Sequence, residues 1–132
     1  MAGFVILVDT DILIAHPLRG AETARVWLRQ ARTAGPLAVS AVSIAELTGG
    51  MRSTERREVW GLLAALRAEP ATELIGRRAG ELMRRYRRSH SGIGIADYLI
   101  AATAENLGAD LATLNVRHFP MFTDLEVAFR SS

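Results

Sequence analysis

The sequence of 132 residues contains neither cysteine nor lysine, and each absence excludes particular chemistry. Without cysteine there are no disulfides, thiolate nucleophiles, zinc–sulfur sites or iron–sulfur clusters. Without lysine, all 16 basic residues are arginine, against 14 acids, which gives a formal net charge of +2. The planar guanidinium group suits phosphates better than an ammonium group does, although a GC-rich genome would also favour arginine.

Long apolar runs are absent as well. The first run covers residues 4–8 and stops at Asp9, so it is too short for a membrane span or for the centre of a signal peptide. We therefore expect a cytoplasmic protein with no membrane partner. The chain length is that of a single domain, which we expect to cover residues 1–132.

Apolar stretches rich in β-branched residues alternate with helical stretches along the chain. Strands are predicted at four ranges, of which the last is a weaker candidate: residues 4–8, 37–41, 109–114 and 72–75. Helices are predicted at residues 21–34, 54–68, 76–89 and 95–107. This alternation predicts an α/β fold with a mostly parallel central sheet. In such sheets, ligands bind beyond the carboxyl ends of the strands.

Three acids fall where predicted strands end or helices begin. Asp9 follows the first strand, Glu46 follows the second, and Asp97 opens the helix of residues 95–107. That helix is apolar around most of its circumference, and burying a carboxylate there is costly unless it is paired or bound to a metal. Carboxylate oxygens are ligands that Mg²⁺ prefers, so we predict a site for Mg²⁺ or Mn²⁺.

Each acid also has a simpler interpretation as part of a helix cap. Asp9 could cap the short helix that follows it. Ser43 and Glu46 have the spacing of a capping box, and Asp97 lies in the first turn if Gly94 is the N-cap. Capping, unlike metal binding, does not require the acids to share one edge of a sheet.

Four motifs resemble those of a known family. They are VDTDILIA at residues 8–15, SIAELTGG at 43–50, GIADYLIAATA at 94–104 and LATLNVRHF at 111–119. Together, in this order, they resemble the PIN-domain ribonucleases, and among them the VapC-type toxins of bacterial toxin–antitoxin pairs. The resemblance implies a three-layer α/β/α fold, an endoribonuclease that uses Mg²⁺ or Mn²⁺ to activate a water, a VapB-type antitoxin partner and a homodimer.

The resemblance also implies which residues act. Asp9, Glu46 and Asp97 match the acids that bind the metal for RNA cleavage. A fourth acid is frequent in the family, and this sequence has Asn115 at that position. An amide oxygen can bind a metal or hold a water, but it adds no negative charge, so the resemblance does not carry a second metal site over to this chain.

Other residues near these motifs could support the site. We hypothesise that Asp11 restores part of the missing charge, although a first-turn acid also suits the helix dipole. The hydroxyls of Thr10 and Thr113 could orient ligands or waters, with an ordinary strand threonine as the alternative for Thr113. His118 could meet the substrate, or could simply pack locally.

The predicted helix at residues 76–89 reads GRRAGELMRRYRRS and carries six arginines against one glutamate, a local charge of +5. A basic face of this kind attracts phosphates and makes binding sensitive to salt. Arg84, Arg85 and Arg88 are therefore predicted to contact RNA, with a solvated helix face as the alternative.

Two other functions compete with the nuclease. The D-x-D pair of Asp9 and Asp11 also occurs in haloacid-dehalogenase-like phosphatases, but those normally need a lysine, which is absent here. The more serious alternative is a PIN-like module that binds RNA or a protein partner and cleaves poorly, because Asn115 weakens the metal site.

Overall fold

The computed structural model describes residues 5–15 and 20–130 of the chain. Strands and helices alternate in the order β1 (Ile6–Val8), α1 (Thr10–Leu13), α2 (Glu22–Ala34), β2 (Leu37–Ser40), α3 (Ala41–Gly50), α4 (Arg56–Ala64), β3 (Arg67–Glu69), α5 (Glu73–Tyr86), α6 (Ile95–Leu107) and β4 (Asp110–Ala112). Short 3₁₀ turns cover Ser53–Glu55 and Val116–His118. Within the described ranges, no helix has the length and hydrophobicity needed to cross a bilayer.

The four strands form one parallel sheet in the order β3-β2-β1-β4. In its two central strands, Ile6 of β1 lies opposite Leu37 of β2, and on the other side it lies opposite Asp110 of β4. All four residues of β2 are buried, which is why this strand reads as a continuous apolar run instead of alternating. The predicted α/β fold with a parallel sheet is confirmed.

Successive strand residues face opposite sides of the sheet and build two cores. Leu7 and Ala38 pack on one face with the buried residues of α5 and α6. Val8 and Val39 pack on the other face with residues of α1 to α4. Helices therefore cover both faces, which gives the predicted three-layer α/β/α arrangement.

Two of the predicted elements are wrong. Residues 72–75 form no strand, because Thr72 is the N-cap of α5 and its hydroxyl accepts the backbone N–H of Ile75 at 3.3 Å. The helix predicted over residues 54–68 ends at Ala64, and Arg67–Glu69 forms the edge strand β3 instead. An edge strand of sequence RAE has no apolar pattern, so its conformation depends on pairing with β2.

Other predicted bounds differ by a few residues. The arginine-rich helix α5 runs from Glu73 to Tyr86 instead of over residues 76–89. The strand predicted at residues 4–8 is observed as Ile6–Val8, and its predicted first residue, Phe4, lies outside the described ranges. The helix predicted at residues 95–107 has the same bounds in the structure.

Candidate active site

Asp9 lies at the carboxyl end of β1, where it is held at both carboxylate oxygens. It is the N-cap of α1, and its Oδ1 accepts the backbone N–H of Thr10 at 2.8 Å. Its Oδ2 accepts the hydroxyl of Thr113 at 2.7 Å. Thr113 directly follows β4, the neighbour of β1 in the sheet, so the parallel topology brings together two residues that are 104 positions apart. Asp9 is 5% exposed.

Asp11 lies beside Asp9 in the first turn of α1. Its Oδ2 accepts the backbone N–H of Leu114 at 3.0 Å. Its Oδ1 is buried and has no hydrogen-bond partner within the described residues. A buried carboxylate oxygen without a partner is costly unless another group compensates it.

The aspartates at this edge of the sheet repel one another. The pKa of Asp9 is raised from 3.8 to about 7, mainly by burial and then by the neighbouring charges of Asp11 and, to a lesser extent, Asp97, against the lowering effect of the hydrogen bonds from Thr113 and Thr10. Burial also raises the pKa of Asp11, again with a contribution from Asp97. Carboxylates whose pKa values rise through burial and mutual repulsion are typical of functional sites.

Asp97 lies in the first turn of α6, where its Oδ2 accepts the backbone N–H of Gly94 at 3.1 Å. The predicted helix cap is therefore present. The same oxygen lies 3.1 Å from Nδ1 of His118. Because Asp97 also contributes to the electrostatic repulsion at Asp9, the cap and a place at the acidic site are compatible.

Glu46 lies on α3, and its position shows that the predicted capping box is wrong. The N-cap of α3 is Ser40, whose Oγ accepts the backbone N–H of Val42 at 3.0 Å, and Ser43 is buried inside the helix. Oγ1 of Thr10 lies 2.7 Å from both Ser43 Oγ and Glu46 Oε1. Since a carboxylate can only accept and Thr10 has one hydroxyl proton, Thr10 donates to Glu46 and accepts from Ser43.

Asn115, which the resemblance matches to the fourth acid, lies at the start of the 3₁₀ turn after β4. Its backbone N–H donates to the Thr113 hydroxyl at 2.9 Å, and its side-chain Nδ2 lies 3.1 Å from Nδ1 of His118. His118 thus contacts both Asn115 and Asp97, a link that the sequence analysis did not predict. The available signal was the spacing of three residues, which places Asn115 and His118 together across a 3₁₀ turn.

The structure brings Asp9, Asp11 and Asp97 within electrostatic reach of one another and ties Glu46 to Thr10. The side chains of the described residues do not form a complete set of metal ligands. Among the described residues, no group of three or more Asp, Glu or His side chains is arranged to hold a metal ion. The common function of Asp9, Glu46 and Asp97 as metal ligands therefore remains a prediction.

The predicted RNA-contacting arginines lie at the carboxyl end of α5 and just beyond it. Arg84, Arg85 and Arg88 are exposed, and none of them forms an ion pair with an acid in the described ranges. The Arg85 guanidinium lies 5.5 Å from the centre of the Tyr86 ring. Their predicted contact with RNA stays a prediction.

Comparison with known proteins identifies the family. The PIN domain model matches residues 6–121. Ribonuclease VapC10 from Mycobacterium tuberculosis (strain ATCC 25618 / H37Rv) is 66% identical over 125 residues, which cover 95% of this chain and 93% of the relative. The match extends over the motifs around Asp9, Glu46 and Asp97, and it argues against a haloacid-dehalogenase-like phosphatase.

Solved structures share the fold. VapBC2 from Rickettsia felis, bound to a DNA fragment from its promoter, superposes with a TM-score of 0.79 at 21% identity and covers 93% of this chain and 96% of that chain. A toxin–antitoxin complex from Klebsiella pneumoniae gives a TM-score of 0.74 at 23% identity, covering 94% of this chain and 98% of that chain. From its motifs, its fold and these comparisons, we conclude that the chain belongs to the PIN-domain family.

Proposed function

We propose that this chain is a metal-dependent endoribonuclease and the toxin of a toxin–antitoxin pair. The observation that carries the proposal is the cluster of buried Asp9 and partly buried Asp11, with Asp97 in electrostatic reach, at the carboxyl end of a parallel sheet. Membership of the PIN family and the 66% identity to a protein named as a ribonuclease support it. RNA is the proposed substrate.

The chemistry of the cluster fits a hard divalent cation. Its donors are carboxylate oxygens, the ligands that Mg²⁺ and Mn²⁺ prefer. Oδ1 of Asp11 is buried and accepts no hydrogen bond from any described residue, and a cation would compensate it. Burial and then repulsion from Asp11 raise the pKa of Asp9, and a bound cation would offset both effects. We therefore assign Asp9, Asp11, Glu46 and Asp97 as the residues that would hold Mg²⁺ or Mn²⁺.

When bound, a divalent ion supplies a water activated for attack on a phosphodiester and neutralises charge at the departing oxygen. The protein's own residues provide position. Thr113 and the backbone N–H of Thr10 fix both oxygens of Asp9, and the Thr10 hydroxyl fixes Glu46. Asn115, in place of a fourth acid, offers a neutral amide beside the cluster. Ligands fixed by such contacts bind metals and substrates in one geometry.

The assignment as a ribonuclease toxin implies two kinds of binding partner, RNA and an antitoxin protein. The exposed arginines of the α5 region, Arg84, Arg85 and Arg88, would attract the RNA backbone. Because the Klebsiella pneumoniae neighbour is a toxin–antitoxin complex, we propose a VapB-type antitoxin as the protein partner of this chain. A homodimer is the proposed assembly, and light scattering that shows a monomer at micromolar concentration would contradict it.

The activity is tested by incubating the purified protein with total RNA and Mg²⁺ or Mn²⁺. We expect cleavage that stops with EDTA and with Asp97→Asn, a variant that keeps the size of the side chain and its ability to accept the Gly94 N–H. Asp110→Asn is the matched control, because Asp110 is an exposed acid at the other end of β4. Cleavage that persists in EDTA and in Asp97→Asn would contradict the metal mechanism.

A second candidate is a PIN-like module that binds RNA or a partner without efficient cleavage. Two observations favour it: no group of three or more described acids or histidines is arranged to hold a metal ion, and Asn115, which the resemblance matches to an acid, contacts His118 instead. RNA binding without cleavage at any concentration of Mg²⁺ or Mn²⁺ would establish this alternative over the nuclease.

A further inference from the structure

A polar cleft of about 680 Å³ opens beside the acidic cluster. One wall is the segment after α5, residues 89–91, and the other is the segment after β4, residues 115–120. Asn115 and His118 belong both to this wall and to the contacts of the acidic cluster, since His118 Nδ1 lies 3.1 Å from Asp97 Oδ2. His118 therefore joins one wall of the cleft to Asp97 of the proposed cleavage site.

The walls carry hydrogen-bonding groups and one cation but no acid. The polar side chains that line the cleft, among the described residues, are those of Ser89, His90, Ser91, Asn115, Arg117 and His118. Arg117 is exposed and forms no ion pair with a described acid. A free guanidinium and neutral donors next to a carboxylate cluster suit an occupant with an anionic group and a polar edge.

The His90 ring is held in place. Its Nδ1 lies 2.8 Å from the Ser89 hydroxyl, and its backbone N–H donates to the carbonyl of Tyr86 at 2.9 Å. The ring packs edge-on against Tyr86, with 5.6 Å between the ring centres. The turn that follows depends on Gly92, whose φ of 87° is in the left-handed region that favours glycine. A fixed aromatic ring in a polar cleft is a surface on which a base can stack.

We propose that this cleft binds the unpaired nucleotide next to the phosphodiester that is cut, with Arg117 at its phosphate and the His90 ring against its base. The inference rests on the proposed function, because it makes the cleft part of an RNA-binding path. The volume is within the range of sites for single small ligands, roughly 300 to 1,000 Å³. A base inside a duplex is stacked and paired and cannot enter such a cleft, so the occupant is expected to be an unpaired nucleotide.

The first test measures binding of a labelled, mixed-sequence RNA octamer in EDTA, which prevents metal-dependent cleavage. Arg117→Gln is expected to weaken binding about threefold or more and to reduce the salt dependence by about 0.7 in the log–log slope. His90→Ala is expected to weaken binding about fivefold or more. Duplex RNA of the same length should bind more weakly than the single strand and should be insensitive to His90→Ala.

Arg32→Gln is the matched control. It removes the same charge from an exposed position on α2, beside Leu37 at the amino end of β2 and so at the opposite end of the sheet from the acids. Less than a twofold change is expected. Equal losses in Arg117→Gln and Arg32→Gln, or no loss in either cleft variant, would overturn the inference.

A second test uses the unaltered protein, so it does not depend on how the variants fold. An octamer that contains 4-thiouridine is crosslinked by light in EDTA, and the attached peptides are mapped by mass spectrometry. Crosslinks in residues 89–91 or 115–120 are expected, and crosslinks found only elsewhere would overturn the inference. Cleft binding without cleavage in Mg²⁺ or Mn²⁺ would remove the proposed function and keep this inference, whereas cleavage with unchanged binding in both cleft variants would do the reverse.

Discussion

Charged side chains are placed in opposite ways at the acidic edge of the sheet and on helix α5. At the acidic edge, Asp9 is buried and Asp11 partly buried beside it, and Oδ1 of Asp11 has no hydrogen-bond partner in the described part of the chain. On α5, charges of both signs are exposed and some of them pair with one another, as Arg77 does with Glu73. Burying like charges opposes folding, so the acidic edge indicates a site that a bound group must complete. The surface of α5 carries no such indication.

Replacing Asp9 should have the largest effect on stability. Asp9→Asn removes the buried charge but has one acceptor oxygen for the two donors, Thr10 N–H and the Thr113 hydroxyl. It should therefore stabilise the metal-free protein at pH 8 by less than the roughly 4 kcal/mol that corresponds to a pKa raised from 3.8 to about 7. Denaturant unfolding in EDTA measures this. The exposed control Asp110→Asn should change stability by less than about 0.5 kcal/mol. A destabilised Asp9→Asn would show that the carboxylate supports the fold.

In the unaltered protein, the free-energy cost of burying the Asp9 charge should make the stability depend on pH. Because the pKa of Asp9 is higher in the folded state than in the unfolded state, the folded state binds more protons between about pH 4 and pH 7. The contribution of Asp9 to stability should therefore be most favourable below pH 4, fall as the pH rises through this window and level off above pH 7. Subtracting the profile of Asp9→Asn, both in EDTA, isolates this contribution. A difference that rises with pH would contradict the assigned shift.

Replacing Arg84 and Arg85 is expected to have a smaller effect, and on RNA affinity instead of stability. If Arg84 and Arg85 contact the RNA backbone, Arg84→Gln combined with Arg85→Gln should weaken binding of single-stranded RNA about tenfold and lower the salt slope by about 1.4. Arg77→Gln is the control, since Arg77 lies in the same helix and pairs with Glu73. Fluorescence anisotropy at several salt concentrations measures both. Unchanged affinity in the double variant would show that the α5 face with Arg84 and Arg85 is solvated and does not contact RNA.

The smallest effect is expected from the ion pair between the two helices on one face of the sheet. Arg78 on α5 donates to Glu105 on α6 at 2.6 Å, but both side chains are partly exposed. Arg78→Ala should therefore lower the free energy of unfolding by no more than about 1 kcal/mol. A loss of several kcal/mol would mean that surface charges matter as much as the buried acids, and the contrast between the two regions would disappear.

Strands could be predicted from the sequence where their burial requires a recognisable pattern of apolar residues. Buried parallel strands need continuous apolar runs, so β1, β2 and β4 could be predicted, and with them the edge at which Asp9 lies. The short strand β3 could not be predicted, because its sequence RAE gains its conformation from pairing with β2. Sequence spacing also selected Ser43 as a helix cap, whereas Ser40 fills that position and Ser43 contacts Thr10.

Contacts at the site were harder to predict than positions. The acids follow strands, so their shared edge could be inferred from topology alone. The bond from Thr113 to Asp9 and the contact of His118 with Asp97 join distant parts of the chain, and they depend on the path of the segment after β4. Which acids face one another at ligand distance depends on side-chain torsions, and no sequence period specifies these.

Calorimetric titration of Mn²⁺ into the purified protein at pH 7.5 tests most directly whether the carboxylates hold a divalent ion. The unaltered chain should bind Mn²⁺, Asp97→Asn and Asp11→Asn should each lose about tenfold or more in affinity, and the control Asp110→Asn should bind normally. Binding that is unchanged in Asp97→Asn, or no binding by the unaltered chain, would contradict the proposed metal site.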